Sequence, residues 1–156
     1  MQIVYAIEDP KNLEDLPSIF LAGPTPRSED VPSWRPTALE ILENLGFDGI
    51  VFVPENRDGK WQQTYMEQVD WEERCLTDAD IIVFWIPRDL ETMPGFTTNA
   101  EWGTWYRSGK CVLGYPPGAP KMKYLDYYAK KEQIPVRHDL VNTLDQAMIL
   151  LGYEEV

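Results

Sequence analysis

Glu101 is the side chain in this sequence that most invites a chemical reading. It stands in "TTNAEWGTWYRSGK", residues 97–110, among small and aromatic neighbours, where a loop is predicted to give way to a helix. A carboxylate in a first helical turn is either a capping charge or a reagent. In both cases the positive end of the helix dipole is expected to hold it ionised. As a reagent it could attack carbon or stabilise a developing cation. Gly103 allows close packing on the same helix, and Trp102, Trp105 and Tyr106 supply bulk around it.

A second group of acids lies upstream in "QVDWEERCLTDAD", with Asp70, Glu72, Glu73, Asp78 and Asp80. On a helix Asp70 and Glu73 share a face. One of these acids could protonate a leaving group, or the group could be a solvated face of an acidic protein. Asp80 opens a strand and is expected to cap its turn. A third group is "GPTPRSEDVPSWRP", residues 23–36. Gly23 lets backbone approach a ligand, Thr25 offers a hydroxyl, and Arg27 and Arg35 are cations able to meet a sugar or phosphate. The same residues also read as a Pro-stiffened loop leading to a helix capped by Ser33, with Pro36 in its first turn. The glycine patterns of a Walker loop and of a dinucleotide fingerprint are absent. No G-x-S-x-G elbow occurs, and the lone histidine, His138, leaves no Ser-His-Asp triad.

Four apolar runs must position these groups. "SIFLAG", "GIVFVP", "DIIVFWIP" and "CVLGYP" read as buried strands. Helical segments alternate with them: "RPTALEILENLGF", with Ala38, Leu39, Ile41, Leu42 and Leu45 on one face and Gly46 as the stop; "DGKWQQTYMEQVDWEERCLTDA"; "NAEWGTWYRSGK", ending at Gly109; and "VNTLDQAMILLGY". This alternation predicts an α/β fold of the flavodoxin-like or Rossmann-like kind, a parallel sheet flanked by helices, with residues 1–156 as a single domain. Ligands of such sheets bind at the carboxyl ends of the strands. The loops there are "GPTPR", "PENRDGKW", "PRDLETMPGFTTNAE" and "PPGAPK", and the unusual chemistry sits in or beside them.

Composition removes several function classes. The formal net charge is −12, from 26 acidic and 14 basic side chains, which disfavours nucleic acid as a partner. A small nucleotide remains compatible. Two cysteines, Cys75 and Cys111, outside any C-x-x-C pair and with one histidine, do not read as a disulfide framework or a zinc site. The N-terminal stretch carries acids and no continuous apolar core, so a signal peptide is not expected. No run is long enough to cross a bilayer. The expectation is a soluble, cytoplasmic protein with no membrane partner.

Three motifs in order, "IFLAGPTP", "DWEERCLTDADIIVFWIP" and "TTNAEWGTWYRSGKCVLGYPP", resemble those of the nucleoside 2-deoxyribosyltransferase family and its N-glycosidase relatives. The resemblance implies that Glu101 is a nucleophile. It would attack C1′ of a 2′-deoxynucleoside and expel the base, leaving a deoxyribosyl ester that a second base or water then resolves. An acid one helix earlier would help protonate the base. Glu72 matches best, with Asp70 a close second. Gly23, Pro24 and Thr25 would lie near the sugar, and the small residues before Glu101 would leave room for its ring. Phe96, Thr98 and Asn99 complete the expected substrate-binding set. Arg27 and Arg35 would permit a 5′-phosphate. Phe96, Trp71 and Trp102 could stack on a base or could be core. Two carboxyl groups suffice for chemistry through an oxocarbenium-like state, so no metal or organic cofactor is expected. The family forms symmetric oligomers, which implies a dimer or higher homo-oligomer.

In three places the chain departs from the family. Phe20 stands where many members carry a first-strand tyrosine, no asparagine stands near Met122 in "GAPKMKYLDYY", and "TMPGFTT" has no counterpart of the aspartate often found shortly before the signature glutamate. Hydrolysis is therefore expected to compete with transfer. A deoxynucleoside 5′-monophosphate hydrolase and a catalytically silent nucleotide-binding module are the alternatives.

Overall fold

The computed structural model describes residues 1–11 and 15–154. Its chain order is β1 (Gln2–Tyr5), β2 (Ser18–Ala22), α1 (Arg35–Asn44), β3 (Ile50–Val53), α2 (Tyr65–Asp78), β4 (Ile81–Trp85), α3 (Phe96–Trp105), β5 (Cys111–Gly114), α4 (Lys123–Lys131), β6 (Val136–Arg137) and α5 (Leu140–Leu150). The strands form one sheet in the order β1-β3-β2-β4-β5-β6, parallel throughout. From β3 to β6 this is the flavodoxin-like order, with β1 added at one edge.

The four strands expected from the sequence are buried along their whole length. Successive side chains alternate between the faces, as strand geometry requires. Phe20, Ile82, Phe84 and Leu113 face α2, α3 and α4, where they meet Trp71, Cys75, Trp102, Leu125 and Ala129. Ile19, Leu21, Val83 and Trp85 face α1 and α5, packing on Ala38, Leu42, Leu144 and Ala147. Burial of these apolar surfaces from both sides is the main source of stability. Phe20 is fully buried and packs on Trp71, with ring centroids 6.4 Å apart.

Three elements were not legible as such. In β1 only Val4 is buried, so its four residues carry little apolar signal. β6 has two residues. α4 buries only Leu125 and Ala129, one turn apart, within a run of tyrosines and lysines. Two boundaries also move. α2 begins at Tyr65, after a capping box between Thr64 and Glu67. α3 begins at Phe96 rather than near Asn99, and it ends at Trp105, four residues short of Gly109. Ser33 does not cap α1 in the usual sense. Its Oγ accepts from the Arg35 N–H at 3.2 Å while donating to Glu55 at 2.6 Å.

The sheet's topology fixes where a ligand can sit. From β2 the chain crosses through α1 toward β3, whereas from β4 it crosses through α3 in the opposite direction toward β5. The loops after β2 and β4 therefore diverge and open a crevice between them.

Candidate active site

Backbone geometry forms the crevice before any reactive group enters it. Gly23 follows β2 with φ of +152°, and a Cβ there would collide with the Trp85 carbonyl and the Trp34 ring. Only glycine fits, so the β2 loop can pass directly over the end of β4. The Trp34 indole N–H donates to Pro24 O at 3.0 Å, and the Arg27 N–H donates to Thr92 O at 3.1 Å. The two diverging loops are thus tied together at one end of the opening.

Arg35 fastens the β2 loop from below. Arg35 is 1% exposed. It donates to Leu21 O at 3.0 Å, Gly23 O at 2.7 Å, Thr25 Oγ1 at 2.8 Å and Glu55 Oε2 at 2.8 Å. Four of its five N–H groups are therefore committed within the protein. Arg35 lines the cleft, but it serves as a brace whose charge reaches the site. A direct grip on phosphate, the expectation from sequence, does not suit this geometry.

The resulting cleft has a volume of about 530 Å³. Glu101, from α3, and Glu72, from α2, both line it. Gly23, Pro24, Thr25, Arg27, Phe96 and Thr98 line it as well, so the structure gathers most of the residues singled out in the sequence. Thr98 is buried beneath the surface. Phe96 is 74% exposed, with the Arg27 guanidinium 5.8 Å from its ring centroid. Arg27 forms no ion pair among the described residues, in contrast to Arg35.

Two expected site residues lie elsewhere. Asp70 is exposed on α2 and does not line the cleft, because a step of two residues from Glu72 turns it to another side of the helix. Asn99 faces away from the cleft, where its Oδ1 accepts from Arg88 at 2.7 Å. Among the other acids, Asp80 accepts from the Ser18 N–H at 3.0 Å, which places it at the opposite end of the sheet. Trp71 and Trp102 are core side chains, 1% and 2% exposed, which leaves Phe96 as the accessible ring of the three considered.

The charge state of Glu101 differs from the sequence-based expectation. Burial pushes its pKa up to about 8, with the charge of Glu72 raising it further and that of Arg35 opposing. The helix dipole does not hold it ionised, because α3 starts at Phe96 and Glu101 lies in its second turn. The Glu72 carboxyl is also raised by burial, against a hydrogen bond from Gln68 and the charge of Arg35. The two carboxyls thus share one shielded cleft in which burial raises both and the charge of each acts on the other. The thiols offer no competing nucleophile, since both are buried, with Cys75 raised to about 12 and Cys111 to about 11.

Sequence reasoning missed several groups of the site. Gln63, Gln68, Trp61 and Tyr65 line the cleft, and Glu55 anchors Arg35. Glu55 directly follows the "IVFVP" run, at the carboxyl end of β3, where the strand-end rule could have found it. Gln68 precedes Glu72 by one helical turn, a spacing that also carries a signal.

A flavodoxin-ordered parallel sheet with a paired-carboxylate cleft at its switch point defines the class. The chain belongs to the nucleoside 2-deoxyribosyltransferase-like family, whose pattern it matches over residues 16–119. That span includes Gly23, Glu72 and Glu101. Among curated proteins no match is found. No helix of the described residues is long and apolar enough to cross a membrane.

Proposed function

We propose that the protein cleaves or exchanges the N-glycosidic bond of a 2′-deoxynucleoside or its 5′-monophosphate, through a glycosyl ester on Glu101. The observation that carries this reading is the convergence of Glu101 and Glu72, from two helices, on one cleft within the family-matched region. Glu101 forms a bond to C1′ as the C1′–N bond breaks, and the electron pair leaves with the base. Glu72 delivers the proton that the base needs. A second base or water then attacks C1′ and frees Glu101. Gly23, Pro24, Thr25 and Thr98 surround the sugar, and Phe96 offers a face on which a base can stack.

The exposed Arg27, which forms no ion pair among the described residues, favours a second reading, hydrolysis of a 5′-monophosphate, because a guanidinium at the cleft rim can meet a phosphate. We place the protein in the cytoplasm as a homo-oligomer of two or more copies, and light scattering at micromolar concentration tests the assembly. The function is tested by incubating the protein with deoxynucleosides and their monophosphates, with and without a second free base. Chromatography follows free base and exchanged nucleoside, and mass spectrometry of acid-quenched protein seeks the adduct on Glu101. Binding without product would identify a silent nucleotide-binding module instead.

A further inference from the structure

Glu72 is the end of a chain of side-chain amides. Asn56 Nδ2 donates to Gln63 Oε1 at 2.8 Å, and Gln63 Nε2 returns a hydrogen bond to Asn56 Oδ1 at 3.1 Å. Gln63 Nε2 also donates to Gln68 Oε1 at 2.5 Å, and Gln68 Nε2 donates to Glu72 Oε1 at 3.0 Å. The chain runs from the loop after β3 to Glu72 in the cleft wall formed by α2. Gln68 is itself buried.

One group with no freedom of role fixes the direction of this chain. At one end the Gln62 backbone N–H, which can only donate, points at Gln63 Oε1 at 3.3 Å. Gln63 must therefore turn its NH2 toward Gln68, and Gln68 must receive it on Oε1. The Gln68 NH2 is then left facing Glu72. A donor facing the carboxyl suits its ionised form, which can only accept. The Gln62 N–H sets the amide assignments, so they do not depend on choosing between look-alike atoms.

Glu101 has no such donor. No hydrogen bond to its carboxylate is formed among the described residues, and its surroundings act on it through burial, Glu72 and Arg35. The charged groups around the pair are Arg35 from α1, committed to the β2 loop and Glu55, and Arg27 from the loop after β2. A donor on one carboxylate and none on the other breaks the symmetry of a pair whose charges act on one another.

We propose that Gln68 is a positioning residue that holds Glu72 as the anion in the free protein and leaves a proton on Glu101. The inference rests on the glycosyl-transfer reading given above. Its chemical consequence is a closed proton balance. Glu101 must lose a proton to attack C1′, and the departing base must gain one. The same proton serves both, passing from Glu101 to Glu72 and then to the base nitrogen as the C1′–N bond breaks. The Oε1 of Glu72 is occupied by Gln68, so Oε2 is the atom that carries it.

The test is carboxyl NMR on protein labelled with 13C at the glutamate side-chain carboxyl carbons, with Glu72→Gln and Glu101→Gln to assign the signals. In the unaltered protein Glu72 should ionise at lower pH than Glu101. In Gln68→Leu the Glu72 midpoint should rise by about one pH unit and that of Glu101 should fall, because a charge-assisted hydrogen bond has been removed from one member of a coupled pair. Gln63→Leu, which frees the Gln68 amide to turn, should move both midpoints in the same directions by less. A merely structural role would not move the two midpoints in opposite directions. Glu101 ionising first in the unaltered protein, or midpoints unmoved in both leucine variants, would overturn the assignment. These titrations need no substrate. If they behave as expected and no deoxynucleoside or monophosphate releases base, the catalytic reading fails and the proton assignment stands.

Discussion

Arg35 on α1 and Glu55 at the end of β3 form a 2.8 Å ion pair beneath the loop that follows β2. The pair joins three chain segments, since Arg35 also holds Leu21 O, Gly23 O and Thr25 Oγ1. Removing one partner of a buried pair leaves the other charge uncompensated and the loop carbonyls without donors. Arg35→Ala should therefore destabilise the protein by about 3–5 kcal/mol. The check is denaturant unfolding at neutral pH. It should also impair turnover of nucleoside and monophosphate alike, in contrast to a residue that binds phosphate alone.

Arg27→Ala should separate the two substrates. Its guanidinium stands exposed at the rim, so its loss should lower kcat/KM for the monophosphate by roughly tenfold or more while sparing the nucleoside, the loss expected for one charge-assisted contact. Equal effects on both substrates would remove Arg27 from phosphate recognition.

Glu101→Ala should abolish base release and the covalent adduct while leaving the circular dichroism spectrum unchanged. Retention of near-normal release by a folded variant would show that the nucleophile is another group.

Glu72→Gln should slow release of poor leaving groups by about 10²–10⁴-fold and of good ones by less, as expected when a general acid is lost. Asp70→Asn should change little, because Asp70 is exposed and outside the cleft. Comparing a series of bases with different leaving ability reads both effects.

Stability should carry the mark of Glu101. Its folded pKa, about 8, lies above the ordinary 4.5. Between these values the native protein keeps a proton that the unfolded chain releases, so this residue makes stability fall as pH rises. Its contribution is fully favourable below pH 4.5 and is lost as pH passes through 8. Glu101→Gln removes that dependence, so its melting temperature should gain on the unaltered protein between pH 5 and pH 8.5. A constant difference across that range would show that Glu101 titrates normally.

The four central strands were legible because each is a continuous apolar run buried on both faces, the simplest signal that a sequence offers. β1, β6 and α4 were not, since β1 buries one residue, β6 has two in all, and α4 buries two residues one turn apart. The identities of Glu101 and Glu72 could be read from motif and spacing, and the structure brings both to one cleft. The protonation of Glu101 could not. It depends on where α3 starts, set by Gly95 in the left-handed region at φ of +73°, and on how much protein covers the carboxyl. Arg35 looked like a ligand cation because sequence shows a charge and not the four acceptors around it. The amide chain was invisible for a similar reason. Gln63 lies in a loop, and only the fold brings Asn56, Gln63 and Gln68 into line.

The two buried cysteines have a practical consequence. Both thiols are held in their neutral form at ordinary pH, and neither lines the cleft. A cysteine introduced at the exposed Tyr65, on the cleft rim, would be the fastest thiol in the molecule toward an alkylating dye. The protein is therefore ready for single-site labelling without first replacing its native cysteines. A fluorophore placed there would register, through quenching by the nearby Trp61, whether a ligand has entered.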